Sequence, residues 1–388
     1  MKLLINTESL LPPVTGIGTY TLNLLKQYTS QENFETIECF SGHRFTTAAA
    51  AITQSEVELA YHKQVKTKGR INTLLRGSIL AYRSRELLRN ALLRLKSAHL
   101  KDFIYHEPNF ILKRHKGPAV ATIHDLSFII HPQYHPAKRV AWLTSELPKT
   151  LARADMLITD SEQVRRELIE LFAVDEKKVR AIHLGAASRY TQKTAEQTKT
   201  TLDRYTLNHG QYLLFVGTLE PRKGVDTLVE SWANLPAHLK REFPLVLAGA
   251  PGWDNKNLQS RIEQLKQSDG LKHLSFVPGS DLPALYAGAT ALAYPSHYEG
   301  FGLPVLEAMS CGVPVICTAD TSMSEITGEH ALHIQAGNTE QLTEQMRLIL
   351  EDTSLRMSLS SAALTRAKNF SWEKCARETQ DIYRVLAS

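Results

Sequence analysis

Short apolar runs alternate with stretches of helical period along the whole chain. In the first half the runs read as strands at Lys2–Asn6, Ile37–Phe40, Phe103–His106, Ala119–His124, Met156–Thr159 and Val179–His183. In the second half they fall at Tyr212–Val216, Leu245–Ala248, Leu274–Val277, Ala291–Tyr294 and Pro314–Thr318. Such alternation predicts parallel sheets joined by crossover helices. A polar, Thr/Gln-rich interval, Tyr190 to Thr201, reads as a linker, and a fresh strand begins after it. The pattern therefore predicts two Rossmann-like α/β domains of similar size, residues 1–195 and 196–370. A last helix, 371–388, starts after Ser371 and is expected to pack back on the first domain.

The length of 388 residues fits two such cores better than one. Cys39, Cys311, Cys317 and Cys375 lack the spacing of a zinc site or a disulfide frame, so they read as reduced thiols of a cytoplasmic protein. No apolar run is long enough to cross a bilayer, and the first residues are too short an apolar run for a signal peptide. The net charge of +5 matters through its distribution. Between Lys63 and Lys101 eleven Lys and Arg face a single acid, Glu86, while leucines recur at helical spacing. Residues 66–96 could thus lie on the anionic inner face of a membrane, or form an ordinary packed helix with a solvated basic face. No nucleic-acid-binding motif accompanies this charge.

The chemistry concentrates in the second half. Glu299-Gly-Phe-Gly-Leu-Pro-Val-Leu-Glu307 follows an apolar run and places two acids eight positions apart. Strand, glycine turn and helix start together put backbone N–H groups and a helix dipole where anions settle in open α/β sheets. Gly217 ends the first strand of that half, and Arg222 and Lys223 follow before a helix. Two adjacent bases there suit a diphosphate, with a solvated basic turn as the alternative. Nearer the start, Gly16-Ile17-Gly18 opens a helix (Tyr20 to Tyr28) but lacks the third glycine of a dinucleotide fingerprint, since Thr21 stands there. His124 and Asp125 end one strand; His106, Glu107 and Asn109 end another. Each could face a ligand, or be a packed histidine and a helix cap. No Asp-x-Asp triplet occurs, so the paired carboxylates that hold a diphosphate through a divalent metal are missing from the sequence.

Together these residues resemble the retaining glycosyltransferases of family 4, whose GT-B fold sets two Rossmann-like domains face to face across an active-site cleft. The resemblance spans nearly the whole chain, and Glu299-x7-Glu307 is its most specific part. It implies that Arg222 and Lys223 bind the donor diphosphate and that Glu299 holds the donor sugar. Gly300, Phe301, Gly302 and Leu303 would line sugar and phosphate, and Glu307 would hold the ribose. His124 would contact the sugar, Gly16, Gly18 and Gly217 would let the backbone approach the donor, and the base would stack near Phe276-Val277-Pro278. His106, Glu107, Asn109 and Asp125 would serve the acceptor. No metal or other cofactor is implied. Ala186 departs from the Asn-Gly pair of many relatives, which bears on the hinge. The segment Thr122–Phe128 with His131-Pro132 further resembles bacterial enzymes that build O-antigen from GDP-mannose or GDP-D-rhamnose. That implies a saccharide acceptor, carried on a lipid diphosphate. A UDP-sugar donor, an inverting enzyme with His106 or His124 as base, a nucleotide-sugar epimerase and a non-catalytic assembly partner stay open. A double displacement would need Asp125 as nucleophile, and the incomplete glycine fingerprint disfavours an NAD enzyme.

Overall fold

A computed structural model describes residues 1–11, 16–31, 33–61, 79–252 and 256–387. The chain divides into two compact units, Met1–Leu184 with Trp372–Ser388, and Gly185–Ser371. The passage between them lies upstream of the boundary expected at 195. In the anticipated linker, Tyr190 is buried and Ala195–Asp203 is a helix. Thr194 and Gln197 form a reciprocal capping box at its start, a signal that outweighs the polar composition of the interval.

The first unit holds a seven-stranded sheet in the order β3-β2-β1-β4-β5-β6-β7. Its strands are β1 (Lys2–Asn6), β2 (Thr36–Phe40), β3 (Phe45–Thr47), β4 (Ile104–Glu107), β5 (Ala119–Ile123), β6 (Met156–Thr159) and β7 (Val179–Ala181). All neighbours pair in parallel except β2 with β3. All five residues of β5 are buried, as a central parallel strand covered on both faces requires. The short antiparallel edge β3 carries no apolar run and was not anticipated. Leu4, Tyr105, Ala121, Ile123 and Leu157 of the sheet pack with Leu143, Leu147 and Leu168 of two helices in one core. The last helix, Trp372–Ala387, packs within this unit against the first, Gly16–Thr29, and against β4.

The second unit holds six parallel strands in the order β10-β9-β8-β11-β12-β13. They are β8 (Leu213–Val216), β9 (Leu245–Ala248), β10 (Lys272–Leu274), β11 (Ala291–Tyr294), β12 (Val315–Thr318) and β13 (Leu332–Ile334). The strand expected at 274–277 instead ends at Leu274, because only Lys272, His273 and Leu274 find partners on β9. Val277 therefore sits in the following loop, beside an exposed Phe276. The edge β13 was not anticipated.

Strand order reverses between β1 and β4 in one unit and between β8 and β11 in the other. In open α/β sheets the carboxyl ends of strands at such a reversal form a crevice. Both clusters of functional side chains described below lie at these two places. The basic segment 62–78 lies outside the described residues; the helix Ile79–Lys96 carries the rest of it.

Candidate active site

In the second unit the crevice is built from the ends of β8 and β11. Gly217 leaves β8 with φ +153°, and a Cβ added at Gly249, which follows β9, would stand 1.9 Å from its carbonyl. The backbones of the two strand ends thus touch, and neither position leaves room for bulk. Pro221–Lys223 then forms one tight turn closed by Gly224 at φ +62°, where a Cβ would lie 2.2 Å from the Pro295 carbonyl. This close approach brings Arg222 and Lys223 against the end of β11.

There they meet Glu299. The Lys223 ammonium donates to Glu299 Oε1 at 2.7 Å and to the Tyr294 hydroxyl at 2.5 Å. The Arg222 guanidinium lies 3.2 Å from Glu299 Oε2 and also donates to the Tyr298 carbonyl. Ser296 and Tyr294 hydroxyls donate to Glu299 Oε1 at 2.9 and 3.2 Å. Tyr294 in turn stacks on Phe215 and lies under the Lys223 charge. Burial raises the cost of the Glu299 charge, but Arg222, then Lys223 and the hydroxyls, outweigh it and hold its pKa down at about 2. Glu220, 3.4 Å from Arg222, supplies a second acid. The result is a rigid and ionised group of fixed polarity at a strand end.

The turn after Glu299 is pinned from behind. Ser322 donates to the carbonyls of Glu299 and Phe301 at 2.7 and 3.0 Å. Gly302, at φ +113°, caps the helix Leu303–Ser310, and a Cβ there would press on Met323 at 2.9 Å. Glu307 lies one turn into that helix. It is half-buried and faced by the hydroxyls of Tyr286 and Tyr190 and by Arg189, whereas the groups that set the Glu299 charge are Arg222, Lys223 and Ser296. Burial, countered only in part by these neighbours, pushes its pKa up to about 7. The two acids of the motif thus occupy different surroundings: one is a fixed anion, the other is poised near neutrality.

In the first unit the crevice at β1 and β4 holds a second charged group. Glu107, buried at the end of β4, accepts from Asn6 Nδ2 at 2.8 Å, Tyr105 at 2.7 Å and Lys113 at 3.2 Å. Lys113 also contacts Glu8, which pairs with Arg89. Burial pushes the Glu107 carboxyl up to about 7, against the pull of Lys113. Asn6, Glu8, Arg89, Glu107 and Lys113 line a cavity of about 440 Å³ with Asn109, Arg139 and Trp142. Glu8, Lys113, Arg139 and Trp142 were not singled out in the sequence; only Glu8 stands close behind a strand end, while Arg139 and Trp142 come from the helix Ala137–Arg153 and carried no local signal.

Both candidate histidines are buried and hydrogen-bonded. His106 is fully buried, with Nδ1 at 2.6 Å from the Tyr383 hydroxyl and Nε2 at 2.8 Å from Thr122. Burial, with the neighbouring His124, lowers its pKa to about 3. It is a buried group that ties the last helix to the sheet, which is the packed-histidine alternative of the two the sequence left open. His124 has both ring nitrogens on acceptors, Asp160 at 2.7 Å and the Pro108 carbonyl at 2.8 Å. Burial opposes its charge, but Asp160 and Pro108 outweigh that and raise its pKa. Asp160 was missed; it directly follows β6. Asp125 uses one oxygen to accept from the Ser127 backbone and hydroxyl, at 2.9 and 2.6 Å, so it caps a turn. Gly16 and Gly18 lie in the first turn of their helix rather than in a loop. All four cysteines are free and buried. Among the described residues no His, Cys, Asp and Glu group could hold a metal, and no helix is long and apolar enough to cross a membrane.

Residues 14–187 match the family Glycosyltransferase Family 4, and residues 203–366 match Glycosyl transferases group 1. Over 386 residues, covering 100% of both chains, the sequence is 34% identical to O-antigen chain mannosyltransferase B of Escherichia coli. The chain is a family 4 glycosyltransferase. Its fold agrees with GT-B structures: HepE of Anabaena, solved with UDP and glucose, matches at TM-score 0.72 and 18% identity over 99% of both chains. WaaG, a glycosyltransferase involved in lipopolysaccharide biosynthesis, matches at TM-score 0.70 and 16% identity over 98% of this chain and 99% of that one. In this glycosyltransferase the Arg222–Lys223–Glu299 group and Glu307 all belong to the unit that the group 1 match covers.

Proposed function

We propose that this glycosyltransferase moves mannose from GDP-mannose, with retention of configuration, to a saccharide carried on a lipid diphosphate, as a step in O-antigen synthesis. The observation that carries the reading is the Arg222–Lys223–Glu299 group at the β8/β11 crevice. The full-length similarity to the Escherichia coli O-antigen mannosyltransferase supports the choice of sugar.

An ammonium has three N–H donors, and Tyr294 and Glu299 take two on Lys223, so the third is the one for a phosphate oxygen. Arg222 and Lys223 would stabilise the charge that grows on the diphosphate as the bond from C1 to the phosphate oxygen breaks. Glu299, kept ionised and immobile, would accept hydrogen bonds from sugar hydroxyls and position C1. The acceptor oxygen would bond to C1 on the face the diphosphate leaves, and its proton would pass to the departing phosphate oxygen. No metal enters this scheme; the two cations supply the charge. Glu307, poised near neutrality, would hold ribose hydroxyls as donor or acceptor.

Calorimetry with GDP, UDP and their sugars, followed by NMR of the product's anomeric carbon, tests the reading. GDP-mannose is expected to bind best and to give an α-linked product. Preference for a UDP-sugar removes the donor assignment, a β-linked product removes retention, and a new sugar nucleotide without acceptor points to an epimerase.

A further inference from the structure

The polar cavity of the first unit is not alone. Trp142, which lines it, also lines a larger groove of about 860 Å³. One side of this groove is the helix Ile79–Lys96; the other is the helix Ala137–Arg153. Leu87, Ala91 and Leu95, four positions apart, form one stripe of the first helix along it. Leu87 and Leu95 are 69% and 75% exposed. Arg94, Arg114, Lys116, Lys149 and Arg153 also line the groove, against one acid among the described residues, Glu146. That acid is already engaged by Lys149 at 2.6 Å. Burial, and then the like charge of Arg114, lower the Arg153 pKa.

Exposed leucines alone are ordinary, and so are surface bases. Their coincidence in a concave groove is selective. A hydrocarbon chain bearing a phosphate satisfies both, whereas a planar bilayer surface cannot fill a concavity. The groove's shared wall with the polar cavity adds direction. Trp142 would pass a ligand from an apolar, cationic trough to a chamber of carboxylates and amides suited to hydroxyl groups.

Resting on the lipid-linked acceptor named above, we propose that the groove between these two helices holds the phosphorylated hydrocarbon part of that acceptor, with its glycan end entering the polar cavity past Trp142. The groove is thereby a binding site for a single amphiphile, and it carries the basic helix's charge to a specific ligand rather than to a membrane at large.

The test titrates the full-length protein, saturated with GDP so that the nucleotide site is filled, with farnesyl diphosphate below its critical micelle concentration. Inorganic diphosphate and vesicles of phosphatidylglycerol with phosphatidylcholine are run beside it. Farnesyl diphosphate is expected to bind at least tenfold more tightly than inorganic diphosphate. Leu95→Asp, at an exposed position whose replacement leaves the core intact, and Arg114→Glu should each weaken it at least tenfold. Equal affinity for the two diphosphates, indifference to both substitutions, or a response to anionic vesicles only would overturn the proposal. The GDP titration on the same samples separates the two levels. Normal GDP binding with no farnesyl diphosphate binding removes the groove alone, whereas absent GDP binding removes the donor assignment.

Discussion

Two buried glutamates sit at equivalent places in the two units, each at the crevice of its sheet, and they end in opposite states. Glu299 is held at a pKa of about 2 and Glu107 is pushed up to about 7. Burial penalises both charges. The difference is compensation: Glu299 meets two cations, Lys223 and an Arg222 that also reaches Glu220, with two hydroxyls, whereas Glu107 meets one lysine that it shares with Glu8. Two cations convert a buried carboxyl into a fixed anion, and one shared cation leaves it able to gain a proton. The first suits holding a sugar beside a leaving diphosphate; the second suits a pocket that exchanges donor and acceptor roles with hydroxyls.

The comparison breaks most visibly at Glu299. Glu299→Ala takes from Lys223 its carboxylate and leaves Arg222 only Glu220, so the protein should lose about 3–5 kcal/mol of stability by denaturant unfolding and nearly all turnover. Retained turnover in a folded variant would remove the carboxylate from the site. Lys223→Ala and Arg222→Ala should each raise the barrier by about 2–4 kcal/mol, read as kcat, with a smaller change in donor affinity. Equal losses in kcat and affinity would make the cations simple binders.

Titration sharpens the contrast. A carboxyl whose folded pKa is raised binds its proton more tightly when folded. Glu107 therefore makes stability fall as pH rises from about 4.5 to about 7, by roughly 3 kcal/mol at most, and flat thereafter. Glu307 contributes a like slope over the same window, so Glu107→Gln should roughly halve the observed slope, measured by urea unfolding, and an unchanged slope would show the Glu107 carboxyl is not a titrating group. Glu299 runs the other way: its contribution is complete above about 4.5 and is lost as pH falls toward 2. The smallest effect is expected at His106. Tyr383→Phe leaves its Nδ1 without a partner and should cost about 1–3 kcal/mol in thermal unfolding while kcat stays the same. A fall in kcat would return His106 to the chemistry.

The chain's alternation of runs was enough to anticipate most strands, because a parallel strand buried on both faces must be apolar along its length. β3 and β13 escaped: each is three residues long with none or one of them fully buried, so neither shows a continuous apolar run. The capping box at Thr194 was written in the sequence and hidden by its polar setting. The motif residues Arg222, Lys223 and Glu299 could be named from strand ends and glycine turns, since local spacing reports where a backbone opens to a ligand.

What the sequence determined by itself was which residue types stand at the carboxyl ends of strands, and hence the family and the class of chemistry. Only the tertiary structure decided their state. It turned His106 into a core hydrogen bond, gave His124 the partner Asp160, gave Glu307 and Glu299 different surroundings, and assembled Glu8, Lys113, Arg139 and Trp142 into a cavity. The physical reason is that spacing along the chain fixes only near neighbours. Desolvation and charge pairing depend on groups brought together from scores of residues apart, and those two terms set whether a buried side chain is charged, neutral or simply packed.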